Sequence, residues 1–159
     1  MQTPFSDIIP PAAAWVVTLV KLVNRRQLTI EWGYCDPANM VFNARYFEFA
    51  DWSTALLFQA ALGMTKPEKK AKYDAEIPLV DVRASFIKPL MLADVVEIAS
   101  SIEGFNRSSF SVLHQFFKGG ELVAEVKEIR VWVEIDPLDP SKLTSIPVPA
   151  EVIERFNTG

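Results

Sequence analysis

The stretch ARYFEFADWSTALLFQAAL, residues 44–62, contains no proline or glycine, and this stretch decides the fold. Asn43 before it is a common helix N-cap and Gly63 after it is a common helix stop, so the sequence predicts one helix about 28 Å long. Apolar side chains cover most of the circumference of this helix. A helix of that kind is buried on most sides, so we expect the rest of the chain to wrap around it.

The remaining sequence is rich in predicted strands. RQLTIEW, residues 26–32, alternates polar with apolar side chains before the helix, and the Gly119-Gly120 pair after it is a strong hairpin signal. No second long helix separates the later strands, so they are best explained as antiparallel neighbours in one sheet. The sequence therefore predicts an α+β fold in which a curved antiparallel sheet is wrapped around one long central helix. The later strands are predicted at residues 78–87, 95–105, 108–118 and 121–135.

The two ends of the chain differ from the centre. Residues 1–24 contain several prolines and little periodicity, so we interpret them as an N-terminal extension in which residues 15–23 could add a strand. Residues 25–159 form the single predicted domain. Near its end, breaks at Asp136-Pro137 and Asp139-Pro140 precede a short amphipathic helix predicted at residues 148–156.

Composition argues against several classes of partner. The net charge of -4 leaves no basic face for nucleic acid, and the KKAK run at residues 69–72 is interpreted as a solvated loop. AAAWVVTLV near the start is too short to span a bilayer. With one cysteine, Cys35, and one histidine, His114, we expect no disulfide, no zinc site and no cofactor, and a reducing, cytoplasmic compartment.

Asp36 lies just before the predicted helix. Free backbone N–H groups at a helix N-terminus favour negative charge, and Pro37 restricts Asp36 to extended conformations. A carboxylate beside such amides is the minimum equipment for transferring an acyl group to water, because the carboxylate attacks or activates water and the amides stabilise an oxyanion. Asp-Pro-Ala-Asn is also an ordinary turn, and spacing alone favours the turn.

Two further ionisable residues stand out. His114 is in phase with the apolar positions of its strand, which indicates a core or interface histidine more than a catalytic base. Asp51 is predicted to be buried by helix phase among aromatic residues. It could be a second functional carboxylate or could cap a hydrogen-bond network, and the sequence leaves both open.

GYCDPANMVFNARYFEFADW, residues 33–52, closely resembles the nucleophile segment of hotdog-fold acyl-CoA thioesterases of the 4-hydroxybenzoyl-CoA thioesterase type. The resemblance extends from about residue 27 to residue 156 and includes ASFIKPLMLADVVEI, residues 84–98, and GFNRSSF, residues 104–110. It implies the same single helix inside a curved antiparallel sheet. It also implies homodimers, often paired into homotetramers, with active sites at the dimer interface.

The resemblance also implies roles for individual residues. The catalytic aspartate of the family falls on Asp36, as nucleophile or general base, and the amide that polarises the thioester carbonyl falls at Asn43. Where the family has a glycine after Pro-Ala this chain has Asn39, which tolerates left-handed backbone better than most residues. The family's substrate contacts fall at Tyr34, Phe42, Phe47, Arg107 and Ser108, with no metal.

The resemblance implies hydrolysis of an aryl- or medium-chain acyl-CoA to a carboxylic acid and free CoA. The basic cluster that grips coenzyme A phosphates in some relatives is reduced to Arg107, which keeps two alternatives open: a module that binds acyl thioesters without turnover, and an acyl-carrier-protein thioesterase. A subunit with only an assembly role is a third alternative. Dehydratase chemistry is disfavoured because His114 is mid-strand with no acid partner evident in the sequence.

Overall fold

The computed structural model describes residues 22–158, and its central element is the helix α1, Asn43–Leu62. The helix confirms the predicted element almost to the residue. Gly63 ends it in the left-handed conformation, with φ 64°, as predicted. Its N-cap is Phe42 and not Asn43, which is the first helical residue, so the cap prediction was wrong by one position.

A five-stranded antiparallel sheet packs on α1, with strand order β1-β4-β5-β6-β3. Gly119 and Gly120, with φ 56° and 81°, form the tight turn between β5 and β6, as the pair of glycines predicted. The sheet contacts α1 through buried side chains such as Ile98, Phe116 and Val126. The strands are β1 (Val23–Thr29), β3 (Leu79–Phe86), β4 (Val95–Phe105), β5 (Ser109–Lys118) and β6 (Glu121–Val131).

A second, three-stranded sheet has the order β2-β7-β8 and was not predicted. The run predicted at residues 121–135 is divided at Trp132, so that its last part belongs to this sheet. The expected breaks at residues 136–140 are the turn of a hairpin in which Asp136 pairs with Asp139. Pro140 is tolerated because β8 is an edge strand. The strands are β2 (Ala75–Glu76), β7 (Val133–Asp136) and β8 (Asp139–Ser145).

Two short α-helices and a 3-10 turn at Trp32–Tyr34 complete the described part of the fold. The helix α3, Ala150–Asn157, confirms the short helix predicted at residues 148–156. The helix α2, Lys66–Tyr73, occupies the KKAK run, so the loop prediction there was wrong. Thr65 and Glu68 form a reciprocal capping box at its start, and this local signal outweighs the run of lysines.

The central helix is not enclosed on most sides in one chain. The face of α1 that carries Asp51 and Trp52 is open, and Trp52 is 66% exposed. The prediction that Asp51 is buried was therefore wrong. Within residues 22–158, no helix combines the length and the apolar character that a membrane span requires.

The predicted N-terminal extension falls almost entirely outside the described residues and stays a prediction, as does the possible strand at residues 15–23. Val23 and Asn24 already pair with Ser101 and Ser100 of β4.

Candidate active site

The turn that carries Asp36 is closed by its own backbone. The Asp36 N–H donates to the carbonyl of Met40 (2.8 Å), and the Asn39 N–H donates to the carbonyl of Asp36 (3.0 Å). Asn39 adopts the left-handed conformation, with φ 58°, that its position in the sequence predicts. The local sequence therefore forms a compact turn directly before α1.

The segment that follows β3 holds this turn in place. The Val41 N–H donates to the Leu90 carbonyl, and the Leu92 N–H donates to the Asn39 carbonyl, both at 2.9 Å. On the other side, the Phe42 N–H donates to the carbonyl of Tyr34 (2.9 Å). The position of Asp36 is thus set by hydrogen bonds that reach about 50 residues along the chain.

The two oxygens of the Asp36 carboxylate differ. Oδ1 accepts from the N–H of Ala38 (2.8 Å) and from the N–H of Met40 (3.2 Å). Oδ2 has no hydrogen-bond partner in the described part of the chain, and the side chain is half-buried. One oxygen therefore fixes the direction of the group while the other stays available for chemistry.

No side chain among residues 22–158 caps the N-terminus of α1. Phe42 supplies no side-chain acceptor, and the first turn contains no acidic residue. The N–H of Asn43 has no acceptor among residues 22–158, as expected for the first residue of a helix. The N-terminus of α2, by contrast, is capped by Thr65 and Glu68. Free N–H groups at a helix N-terminus favour a bound anion.

Asp36 and Asn43 line one open depression of about 560 Å³. Phe42, Tyr46 and Phe86 form its aromatic side, and the rings of Tyr46 and Phe86 meet edge to face with centroids 4.9 Å apart. Burial raises the pKa of the Tyr46 phenol, so it is a neutral group at this wall. From the sequence, Tyr46 was predicted only to be one of the apolar positions of the helix, and its place beside Asp36 was not predicted.

Two of the predicted substrate contacts do not border this depression. The ring of Tyr34 packs edge to face against Phe49 at 5.1 Å, on the core side of the turn. Phe47 lines a neighbouring depression with Trp52 and Leu79, on the open face of α1. The sequence did not indicate that Tyr34 and Phe47 lie outside the Asp36 depression.

Arg107 and Ser108 are at the other end of the sheet. They occupy the turn between β4 and β5, whereas the Asp36 turn lies against Leu92, which precedes the start of β4. An eleven-residue strand is at most about 35 Å long, and within one chain neither residue borders the Asp36 depression.

His114 is a core residue, as predicted. It is fully buried, with Nδ1 2.7 Å from the Ser100 hydroxyl and Nε2 3.1 Å from the Thr54 hydroxyl. Glu128 Oε2 is 3.4 Å from Nε2, so the structure gives His114 an acidic neighbour that was not evident in the sequence. The pair is nevertheless closed to substrate, because Glu128 is buried as completely as His114.

Asp51 caps the same buried network, which is the second of the two roles left open for it. Its Oδ1 is 2.6 Å from Nη2 of Arg130, whose Nε donates to Glu128 at 2.7 Å. Burial raises the pKa of Glu128, but the adjacent His114 and Arg130 side chains lower that pKa to about 2. Among the described residues, no cluster of His, Cys, Asp or Glu could hold a metal ion.

Residues 30–156 match the family model described as the thioesterase-like superfamily. The chain is 31% identical over 134 residues to the 4-hydroxybenzoyl-CoA thioesterase of Pseudomonas sp. (strain CBS-3), covering 80% of this chain and 93% of that protein. It is 29% identical over 101 residues to the 1,4-dihydroxy-2-naphthoyl-CoA hydrolase of Prochlorococcus marinus (strain NATL1A), covering 60% and 67%.

Solved structures agree with the sequence comparison. The fold superimposes with a TM-score of 0.77 on a 4-hydroxybenzoyl-CoA thioesterase, 28% identical, covering 84% of this chain and 98% of that one. That structure is of an aspartate-to-asparagine mutant complexed with 4-hydroxybenzoyl-CoA. The hotdog arrangement predicted from the sequence is thereby confirmed.

Proposed function

The chain belongs to the thioesterase-like superfamily, and from that premise we propose that it hydrolyses acyl-CoA thioesters with Asp36 as the reacting carboxylate and the Asn43 amide as oxyanion donor. It is a thioester hydrolase whose products are a carboxylic acid and free CoA. One observation carries the assignment of residues: the unpartnered Oδ2 of Asp36 and the uncapped N-terminus of α1 share one depression.

Two routes are open to this pair. In the first, Asp36 Oδ2 attacks the thioester carbonyl, the C–S bond breaks, CoA leaves as thiolate, and water then hydrolyses the mixed anhydride. In the second, Oδ2 takes a proton from water as that water attacks the carbonyl. Both routes place negative charge on the carbonyl oxygen, and a donor aimed at that oxygen stabilises either transition state.

A thioester suits the sparse chemistry of the site. Thiolate is a good leaving group, so departure requires little help from a general acid. His114, the histidine of the sequence, is fully buried in the core and cannot serve as one. A carboxylate and a backbone amide are therefore sufficient groups for hydrolysis of a thioester.

We assign the acyl group to the aromatic class. Phe42 and Phe86, each about half exposed, present aromatic surface beside the reacting carboxylate, and the buried ring of Tyr46 contacts Phe86. Aromatic rings pack favourably on one another, so this surface suits an aromatic acyl group. The printed names of both relatives, 4-hydroxybenzoyl-CoA thioesterase and 1,4-dihydroxy-2-naphthoyl-CoA hydrolase, contain aromatic acyl groups. Medium-chain esters are the comparison class in the test below.

A homodimer or a homotetramer is the assembly that the surface supports. The strand β3 is an edge of the five-stranded sheet, and it exposes Leu79 (42%) and Phe86 (51%) beside the open face of α1 that carries Trp52. Such an edge is normally covered by pairing. A second copy would also be needed for Arg107 to contact the substrate. Sedimentation velocity that finds only a monomer at micromolar concentration would rule this assembly out.

The test is thiol release from a panel of benzoyl, hydroxybenzoyl, phenylacetyl and straight-chain acyl-CoA esters. We expect the wild type to turn over the aromatic esters and Asp36→Asn to lose about a hundredfold or more in kcat. Asp74→Asn is the matched control, because Asp74 is an exposed aspartate that ends α2 and Asn also accepts its left-handed backbone. Equal thermal melting of the three proteins separates chemistry from folding.

Other results would point to the alternatives. Saturable binding of esters without thiol release by the wild type would indicate an acyl-thioester-binding module. Turnover restricted to esters of acyl carrier protein would change the carrier and leave the role of Asp36 intact.

A further inference from the structure

A second cavity lies away from the Asp36 depression. It has a volume of about 400 Å³, is partly open to solvent, and is bordered by the C-terminal half of α1, by α2, by the three-stranded sheet and by Leu79 and Arg130 of the larger sheet. It shares no lining residue with the Asp36 depression. This volume is at the small end of the range for ligand sites, which fits a small molecule and not a nucleotide.

The walls of the cavity are mostly apolar. Phe58 of α1, Ile77 before β3, Val133 and Ile135 of β7, and Leu143 of β8 all contribute. These side chains come from three elements and one connecting segment, so several parts of the fold form the cavity. An occupant would bury an apolar body here and gain free energy in proportion to the area removed from water.

Lys69 is the unusual polar residue of this cavity. It is 4% exposed, and its Nζ donates to the carbonyl of Ala75 at 3.3 Å and lies 5.2 Å from the centre of the Trp132 ring. An ammonium group has three N–H donors, so one weak hydrogen bond leaves it under-satisfied. Among residues 22–158, no carboxylate lies within 4 Å of this nitrogen, although Glu76 lines the same cavity at a greater distance.

The other buried cation of the cavity is already neutralised. Arg130 contacts both Glu128 and Asp51, and it also donates to the Ile77 carbonyl. Within the described part of the chain, the positive charge of Lys69 therefore lacks a direct counter-ion. Burial lowers the pKa of Lys69, which is the physical sign of that cost.

A buried charge is stable only when it is paired and hydrogen-bonded. A ligand carboxylate in this cavity would supply both the negative charge and the acceptors that Lys69 lacks, and an apolar body would fill the remaining space. We infer that this cavity is a second ligand site that binds a small carboxylate with an apolar body through Lys69. The inference does not depend on the proposed hydrolase activity.

Isothermal titration of the full-length protein with octanoate tests this site, and octanamide, of the same shape but uncharged, is the ligand control. We expect octanoate to bind the wild type, and octanamide to bind at least about tenfold more weakly because it cannot pair with the ammonium. Absence of octanoate binding at millimolar concentration, or equal binding of the two compounds, would overturn the inference.

Two variants locate the binding. Lys69→Met keeps the length of the side chain and removes its charge, so we expect octanoate affinity to fall about tenfold or more. Lys72→Met is the matched control, since Lys72 is on the same helix, is exposed, and pairs with Glu151. If Lys69→Met binds octanoate as well as Lys72→Met does, the carboxylate binds elsewhere and the inference is wrong.

Leu143→Trp provides a test that does not touch the charge. Leu143 is a half-buried residue of β8, and a larger side chain there occupies the cavity while Lys69 stays in place. We expect octanoate binding to be lost, with the thermal melting temperature of the free protein little changed. Undiminished binding to a folded Leu143→Trp would place the ligand outside this cavity.

Discussion

The Thr54 hydroxyl donates a hydrogen bond of 2.7 Å to Oε2 of Glu128 and so joins the middle of α1 to β6 of the sheet. His114 Nε2 is 3.1 Å from the same hydroxyl, and all three side chains are buried. Because the Thr54 proton goes to Glu128, its oxygen accepts from Nε2–H of His114, which leaves Nδ1 to accept from Ser100 when the ring is neutral. One hydroxyl thus satisfies two buried groups.

Thr54→Val should be destabilising although it keeps the shape of the side chain. It leaves a buried carboxylate oxygen and a buried imidazole N–H each short of one partner, which costs about 1–3 kcal/mol. Thr54→Ser keeps the hydroxyl and loses only a methyl group, which costs about 1 kcal/mol. Urea unfolding of the two variants measures the difference, and a Val variant as stable as the Ser variant would contradict this account.

Glu128 predicts how stability depends on pH. Its pKa is lowered from the ordinary 4.5 to about 2 in the folded chain. A carboxyl group whose pKa is depressed by folding stabilises the fold fully above its unfolded pKa, and this stabilisation is lost as pH falls toward the folded pKa. We therefore expect the free energy of unfolding to fall between about pH 5 and pH 2, by on the order of 3 kcal/mol from this group.

The measurement is urea unfolding at a series of pH values, with Glu128→Gln beside the wild type. The variant is less stable at pH 7 because it lacks the charge that pairs with Arg130. It should also lose most of the pH dependence in that window. A Gln variant with the same slope as the wild type would assign the acid transition to other carboxyl groups.

The position of Asn39 gives a test of the turn that holds Asp36. Left-handed backbone costs a β-branched residue about 1–2 kcal/mol, whereas glycine adopts it freely. We expect Asn39→Gly to keep both stability and activity. Asn39→Val should lower kcat more than KM, because the strained turn moves the Asp36 carboxylate. Thiol-release kinetics on the two variants decides this, and equal kcat values would show that the turn does not position Asp36.

The sequence predicted those features whose causes are local. The apolar run of α1, its terminal glycine and the Gly-Gly hairpin each depend on a few neighbouring residues, so they could be recognised without the structure. The capping box of α2 is equally local, but the run of lysines after it suggests a solvated loop, and the loop prediction was therefore wrong. The sequence predicts a break at Pro140, because only the tertiary structure shows that this proline lies on an edge strand.

The candidate site was predictable only in part, for the same reason. Asp36 and Asn43 are close in sequence, so the motif and the position of the helix N-terminus were enough to predict that the two residues share one site. Arg107 was grouped with them through the resemblance, yet within one chain the length of β4 separates it from Asp36. The exposure of Asp51 depends on which face of α1 the sheet covers, and the all-round apolar character of the helix did not specify that face.

Asn43 permits the most direct test of the oxyanion role, because its N–H can be removed without disturbing the helix. Asn43 is the first residue of α1, where proline is well tolerated since the N–H has no helical partner. Phe42, with φ −62° and ψ 131°, already has the extended conformation that a following proline requires.

Asn43→Pro should therefore fold normally and lose about a hundredfold or more in kcat, as expected when an oxyanion donor is deleted. Asn43→Ala removes the side chain but keeps the N–H, so it should retain activity close to that of the wild type. Thiol-release kinetics and thermal melting of both variants supply the readout. Full activity of Asn43→Pro would exclude this amide as the donor, and a comparable loss in Asn43→Ala would assign the role to the side chain.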